Sequence, residues 1–171
     1  MKLLILCVET NKKAKTDDGY IDTVLKYLYR VDSSVKLKYK YFNGKGGYNS
    51  SKVIKDITKD IGALKNNSSW DVVYFIDTDN YDSDSETSGL NEKVQEFCLK
   101  NGYKFVWFCR NIEEVFLHKK VDDANKIVSM GKFMAEKGLG KATLSSLSSK
   151  TMSAKRSNIL LVMDEILERK N

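Results

Sequence analysis

The run Leu3-Leu4-Ile5-Leu6-Cys7-Val8, closed at once by Glu9, constrains this chain more than any other stretch. Six apolar residues without alternation suit a strand covered on both faces, and such strands belong to parallel sheets flanked by helices. The run is too short for a membrane span and lacks the layout of a secretory leader.

The same pattern then recurs along the chain. Ile21, Val24, Leu25 and Leu28 repeat at helical spacing behind the cap and acidic first turn Thr16-Asp17-Asp18. Val35 to Phe42 alternates as a strand with one wetter face, and Asn43-Gly44-Lys45-Gly46-Gly47 reads as a loop. Val53, Ile54, Ile57 and Ile61 mark a second helix, Trp70 to Ile76 a third strand, and Leu90, Val94, Phe97 and Cys98 a third helix ending at Asn101-Gly102. Tyr103 to Cys109 is a fourth strand, followed by a short helix over Asn111 to His118, another carrying Ile127, Met130, Phe133 and Met134, and a last one carrying Ile159 to Leu167. The serine-rich, basic stretch Ser145 to Ser157 is expected to be a mobile surface loop. Strand and helix in alternation imply right-handed crossovers, hence a three-layer α/β/α sandwich around a mainly parallel sheet of about four strands, Rossmann-like in outline.

At 171 residues and 42% apolar composition the chain supports one core, so a single domain over residues 1–171 is expected, with a core to about residue 120 and a helical extension beyond it. Cys7, Cys98 and Cys109 form no CxxC pair and sit in or beside apolar runs, which fits buried thiols in a reducing cytoplasm. The formal net charge of +6 suits a phosphate-bearing partner, although lysine-rich composition alone often gives such a balance.

In parallel α/β sheets ligands bind beyond the carboxyl ends of the strands. There this sequence places Glu9, the loop of Lys45, Asp77-Thr78-Asp79 and Arg110-Asn111. Asp77 and Asp79 are two apart and share a face while the backbone stays extended. If the first and third strands are neighbours, Glu9 lies about 5 Å across from them. Three such anions repel one another unless a proton or cation intervenes, and an all-oxygen set suits Mg²⁺ or Mn²⁺. Each acid taken singly also reads as a solvated loop residue; Asp84 and Glu86 are read that way, and Asp82 is left open between site and loop.

An apolar strand ending in Glu9, followed some seventy residues later by one ending in Asp77-Thr78-Asp79, resembles the Toprim domain of topoisomerases, primases and OLD-type nucleases. The loop Gly44-Lys45-Gly46-Gly47, the stretch Asn111 to His118, and Arg156-Ser157-Asn158 before an apolar helix resemble, in that order, the RloB-like proteins of bacterial defence loci. The Lys12-Lys13-Ala14-Lys15 segment after Glu9 departs from that family's compact Glu-Gly turn, and the chain contains no proline before Glu114.

The resemblance implies a cytoplasmic, metal-dependent phosphodiester hydrolase acting on RNA or DNA, an antiphage effector working alone or with a partner ATPase. Glu9, Asp77 and Asp79 would hold Mg²⁺ or Mn²⁺, Glu114 would serve as a further ligand or base, and Lys45, Arg110, Lys155 and Arg156 would contact phosphates. The other reading is a non-catalytic module that binds a nucleotide, nucleic acid or a partner ATPase with the same edge. Glu114 carries both readings, since Asn111-Ile112-Glu113-Glu114 is also a capping box. The lone His118 has no partner signature and reads as a helix residue. A receiver domain is disfavoured by the single acid after the first strand.

Overall fold

The computed structural model describes residues 1–136, 139 and 142–170. Four strands, β1 (Lys2–Val8), β2 (Val35–Tyr41), β3 (Ser69–Asp77) and β4 (Lys104–Phe108), form one all-parallel sheet in the order β2-β1-β3-β4. Helices α1 (Thr16–Leu28), α2 (Ser51–Gly62) and α3 (Ser85–Lys100) make the crossovers, and α4 (Ile112–Leu117), α5 (Lys126–Ala135), α6 (Leu144–Leu147) and α7 (Ile159–Asp164) follow β4. The chain is thus the expected three-layer α/β sandwich. Among the described residues no helix is long and apolar enough to cross a membrane.

The two-sided burial of β1 explains its unbroken apolar run. Leu4, Leu6 and Val8 pack with residues of α1, α4, α5 and α7 on one face, while Leu3, Ile5 and Cys7 pack with Val53, Ile57, Val94 and Cys98 of α2 and α3 on the other. All six are at most 1% exposed, and each such burial contributes about 1.5–3 kcal/mol before entropy is counted. β2, at the sheet edge, alternates instead: Leu37, Tyr39 and Tyr41 face the α1 layer and the lysines between them face away. Gly19 lets α5 lie against α1, because a Cβ there would meet the Met130 sulfur at 2.4 Å.

The stretch Ser145 to Ser157 is not the free surface loop its serines suggest. Ser146, Leu147, Ser149 and Ser157 are buried, and residues 156–158 lie along the outer edge of β4. There Cys109 N–H donates to the Arg156 carbonyl at 2.9 Å, and Ser157 Oγ donates to the Trp107 carbonyl at 2.7 Å. The Asn158 side chain accepts from Trp107 N–H at 2.9 Å and donates to the Phe105 carbonyl at 3.0 Å. Side chains do here what a fifth strand would do, satisfying backbone groups that an open edge leaves unpaired. The last helix also stops earlier than its apolar pattern implies: α7 ends at Asp164, and Ile166 and Leu167 reach the core from the turn beyond it.

Asn158→Ala removes both partners from one strand and is expected to destabilise by about 2 kcal/mol, since unsatisfied buried backbone groups cost roughly 1–3 kcal/mol. The melting temperature should fall by roughly 4–8 °C in a chain of this size. Asn158→Asp, which keeps only the acceptor for Trp107 N–H, should lie between the alanine variant and wild type in a calorimetric melt.

Candidate active site at the carboxyl edge of the sheet

β1 and β3 are neighbours from which the chain leaves in opposite directions, so a crevice opens above their carboxyl ends. Glu9 continues the row of Leu3, Ile5 and Cys7 and leans toward the α2–α3 side, where the loop of Lys45 lies. Asp77 continues the row of Val73 and Phe75 toward α1 and α4. Backbone bonds fix both. Glu9 Oε1 accepts from Asp77 N–H at 3.0 Å, and Asp77 Oδ1 accepts from Ile112 N–H, the first residue of α4, at 2.9 Å.

Asp79 reaches the site by a different route from the one its spacing suggests. The chain is not extended there: β3 ends at Asp77, and Asp79 has φ 49° in the left-handed region. Thr78 N–H donates to the Phe108 carbonyl and Asp79 N–H to that of Arg110, so pairing with the end of β4 turns the backbone. Lys45 Nζ then meets Asp79 Oδ2 at 2.7 Å and stands 4.0 Å from Glu9 Oε1.

Lys45 is 8% exposed and points into the crevice. The glycines around it make this possible. Gly44 has φ +93°, and a Cβ on Gly47 would lie 2.0 Å from the Phe42 carbonyl oxygen. The loop therefore folds tightly over the end of β2, with Gly44 N–H donating to the Glu9 carbonyl at 2.8 Å.

Three acids outside the expected set stand at the crevice, Asp17 and Asp123 lining it and Glu113 buried beside it. Asp17, in the first turn of α1, and Glu113, in the first turn of α4, both act electrostatically on Asp77. Glu113 is 1% exposed, and its Oε2 has no hydrogen-bond partner. Glu114 instead caps its own helix: its N–H donates to Asn111 Oδ1 at 2.8 Å, and its Oε1 accepts from Asn111 Nδ2 at 3.3 Å. Glu9, Asp17, Asp77, Asp79, Asp123 and Lys126 line a cleft of about 440 Å³.

Of the expected phosphate contacts, Lys45 is held as an internal counter-ion, and Arg110 pairs at 3.5 Å with Asp82 on the surface. Lys155 and Arg156 are exposed on the segment beside β4. His118 ends α4 in a left-handed conformation.

The electrostatics are those of crowded anions. Burial, with a smaller push from Asp79, raises the Glu9 carboxyl to about 8 although Lys45 opposes it. Burial and Glu113 raise Asp17 to about 6. Asp77 rises well above the usual carboxylate range through burial and through Asp17, Glu9 and Glu113. Burial raises Glu113 as well. Burial alone would lower Lys126, but Glu113, Asp123 and Asp77 outweigh it and hold its ammonium charged.

No trio of His, Cys, Asp or Glu among the described residues stands in a ready ligand arrangement. The donors are nevertheless carboxylate oxygens throughout, and the buried, unpartnered Glu113 Oε2 is an acceptor awaiting a proton or a cation. In chemistry the set fits a hard dication. Compared with protein-family models, with curated proteins and with solved structures, the chain matches none.

A carboxyl whose folded pKa is raised stabilises the fold below its unfolded pKa and loses that contribution as pH rises through the folded value. For Glu9 the window runs from 4.5 to about 8. In chelator, the melting temperature should therefore fall between pH 5 and pH 8.5. Lys45→Gln, which removes a cation that lowers Glu9, should extend the decline to higher pH. A flat profile in both proteins would refute the crowded-anion description.

Proposed function

We propose that this chain is a Toprim-type, Mg²⁺- or Mn²⁺-dependent phosphodiester hydrolase of RNA or DNA, acting in the cytoplasm. One observation carries the reading: Glu9 and Asp77, locked together across the switch point, stand with Asp79 and Asp17 around a cleft open to solvent, and the buried Glu113 acts on Asp77 from beside it. Such a concentration of carboxylates costs stability wherever it is buried, and a functional cation is the economical reason to keep it.

Glu9, Asp77 and Asp79 would hold the ion, with Asp17 and Glu113 beside Asp77. A bound divalent ion polarises a phosphodiester and lowers the pKa of an attacking water. The protein's own residues do the positioning. Asp77 N–H orients Glu9, Ile112 N–H orients Asp77, and Lys45 holds Asp79 until a stronger cation competes for it. Asp17, raised to about 6 and outside the ion-holding trio, is suited to accept a proton from water near neutral pH. No side-chain nucleophile is required. The internal counter-ion Lys45 is the feature that favours the other reading, a metal-free module binding a nucleotide, nucleic acid or partner ATPase.

Melting and cleavage assays separate the two. Mg²⁺ or Mn²⁺ should raise the wild-type melting temperature, by mass action worth about 2.7 kcal/mol at a hundredfold excess over the dissociation constant. Asp77→Asn should abolish that response. Glu9→Gln keeps an oxygen to accept Asp77 N–H, so it should fold while cleavage of plasmid, single-stranded DNA, tRNA or total RNA drops by orders of magnitude. A wild-type melt indifferent to metal and chelator, with no cleavage of any substrate, would leave only the binding module.

A further inference from the structure

The whole net charge of this chain lies in one crossover. Residues 36–65 hold eight lysines and two aspartates, a balance of +6. That leaves 21 of the 29 basic and 21 of the 23 acidic side chains elsewhere, with no net charge at all. A +6 balance spread over the surface would say little about a partner, whereas one concentrated in thirty residues makes a field.

The fold brings six of these eight lysines to one face. Lys36, Lys38 and Lys40 occupy alternate positions on the edge strand β2, about 6.6 Å apart, on the side away from the α1 layer. Asp60 of α2 lies between Lys38 and Lys40, its Oδ2 2.6 Å from Lys40 Nζ, so one carboxylate answers two ammoniums. Lys52, Lys55 and Lys59 recur at i, i+3 and i+7 along α2 and form an exposed stripe about 10 Å long. Among the described residues, no carboxylate lies within ion-pair distance of Lys36, Lys52, Lys55 or Lys59. The stripe starts at the cleft, because α2 begins four residues after the turn that turns Lys45 inward.

We propose that the β2–α2 face is the binding surface for a nucleic-acid strand, gripping its phosphates sequence-independently and leading it toward the carboxylate cleft. The proposal rests on the hydrolase reading for the strand's destination, but not for its binding. A linear polyanion is the occupant that fits, since the lysines form rows along a strand and a helix rather than converging on one point. Lysine is a point charge that meets phosphate without reading bases, so affinity should vary little with sequence and steeply with salt.

The test is fluorescence anisotropy of labelled single-stranded RNA, single-stranded DNA and duplex DNA across a salt series. It is run in EDTA, where no cleavage can occur. The triple variant K52Q/K55Q/K59Q changes only exposed side chains, and its unchanged circular dichroism and melt would show that it folds. It should bind roughly tenfold or more weakly at low salt, with a log–log salt slope shallower by roughly 2, as loss of two or three phosphate contacts requires. K119Q/K120Q/K132Q, which removes equal charge from the α4–α5 region, should bind as wild type does.

Equal weakening by both triples would reduce the effect to bulk charge and overturn the proposal. So would wild-type affinity in K52Q/K55Q/K59Q, or binding to anionic vesicles but not to nucleic acid. If binding shows the expected loss while the wild type cleaves nothing in Mg²⁺ or Mn²⁺, the hydrolase reading fails and the surface stands.

Discussion

The bond from Asp77 N–H to the Glu9 carboxylate is the point on which the carboxyl edge of this protein depends. It joins β1 to β3 one step beyond the last paired residues, where the sheet would otherwise fray into loops. From there the order propagates. Asp77 presents its own carboxylate to Ile112 N–H and so fixes where α4 begins, and α4 brings Glu113 into the same space. Each link has a carboxyl oxygen accepting from a backbone N–H, a bond that about doubles in strength when the carboxyl is ionised. The arrangement thus recovers part of the desolvation cost, while the rest of that cost, with a smaller share from mutual repulsion, appears as the raised proton affinities of the carboxyls.

Lys45 answers a portion of that repulsion from inside. Its position depends on backbone rather than on side-chain packing: a left-handed Gly44, and a Gly47 pressed against the Phe42 carbonyl. A loop with side chains at those two positions would have to swing outward and take the ammonium with it. The glycine-rich segment therefore acts as a support for one cation, which differs from a phosphate cradle built of backbone N–H groups. A dication entering the cleft would have to compete with Lys45 for the same Asp79 oxygen.

Strand identity and layer order were legible because two-sided burial imposes a composition that little else produces, and β1 shows it plainly. Glu9, Asp77 and Asp79 could be placed at the carboxyl edge because they lie at or just beyond the ends of those strands. Asp79 was found for an incomplete reason, since a left-handed turn and not an extended backbone brings it in. Asp17 and Glu113 were not anticipated although a signal existed: the first turn of the helix that follows a strand stands over that strand's carboxyl edge, so Asp17, read only as part of an acidic first turn, and Glu113, read only within a capping box, also stand at that edge. The clasp of residues 156–158 on β4 left no such signal. A strand edge satisfied by asparagine and serine side chains has no periodicity, and its composition is that of a loop.

Charge segregation follows from the topology in a way that neither composition nor any single residue reveals. The crevice at the β1–β3 junction collects the first turns of helices and the ends of strands, and here those positions are acidic. The outer row of β2 and the solvent stripe of α2 are far less constrained by packing, and there the lysines accumulate. An acidic cleft alone would repel a polyanion over a Debye length of about 8 Å at physiological salt. Within the first turn of α2, however, that field gives way to one of opposite sign, because the same crossover supplies both the inward Lys45 and the outward Lys52. Attraction for a polyanion would thereby lie at the margin of the cleft and repulsion at its floor, so a strand bound as proposed would approach the carboxylates closely only once protons or a cation had neutralised them.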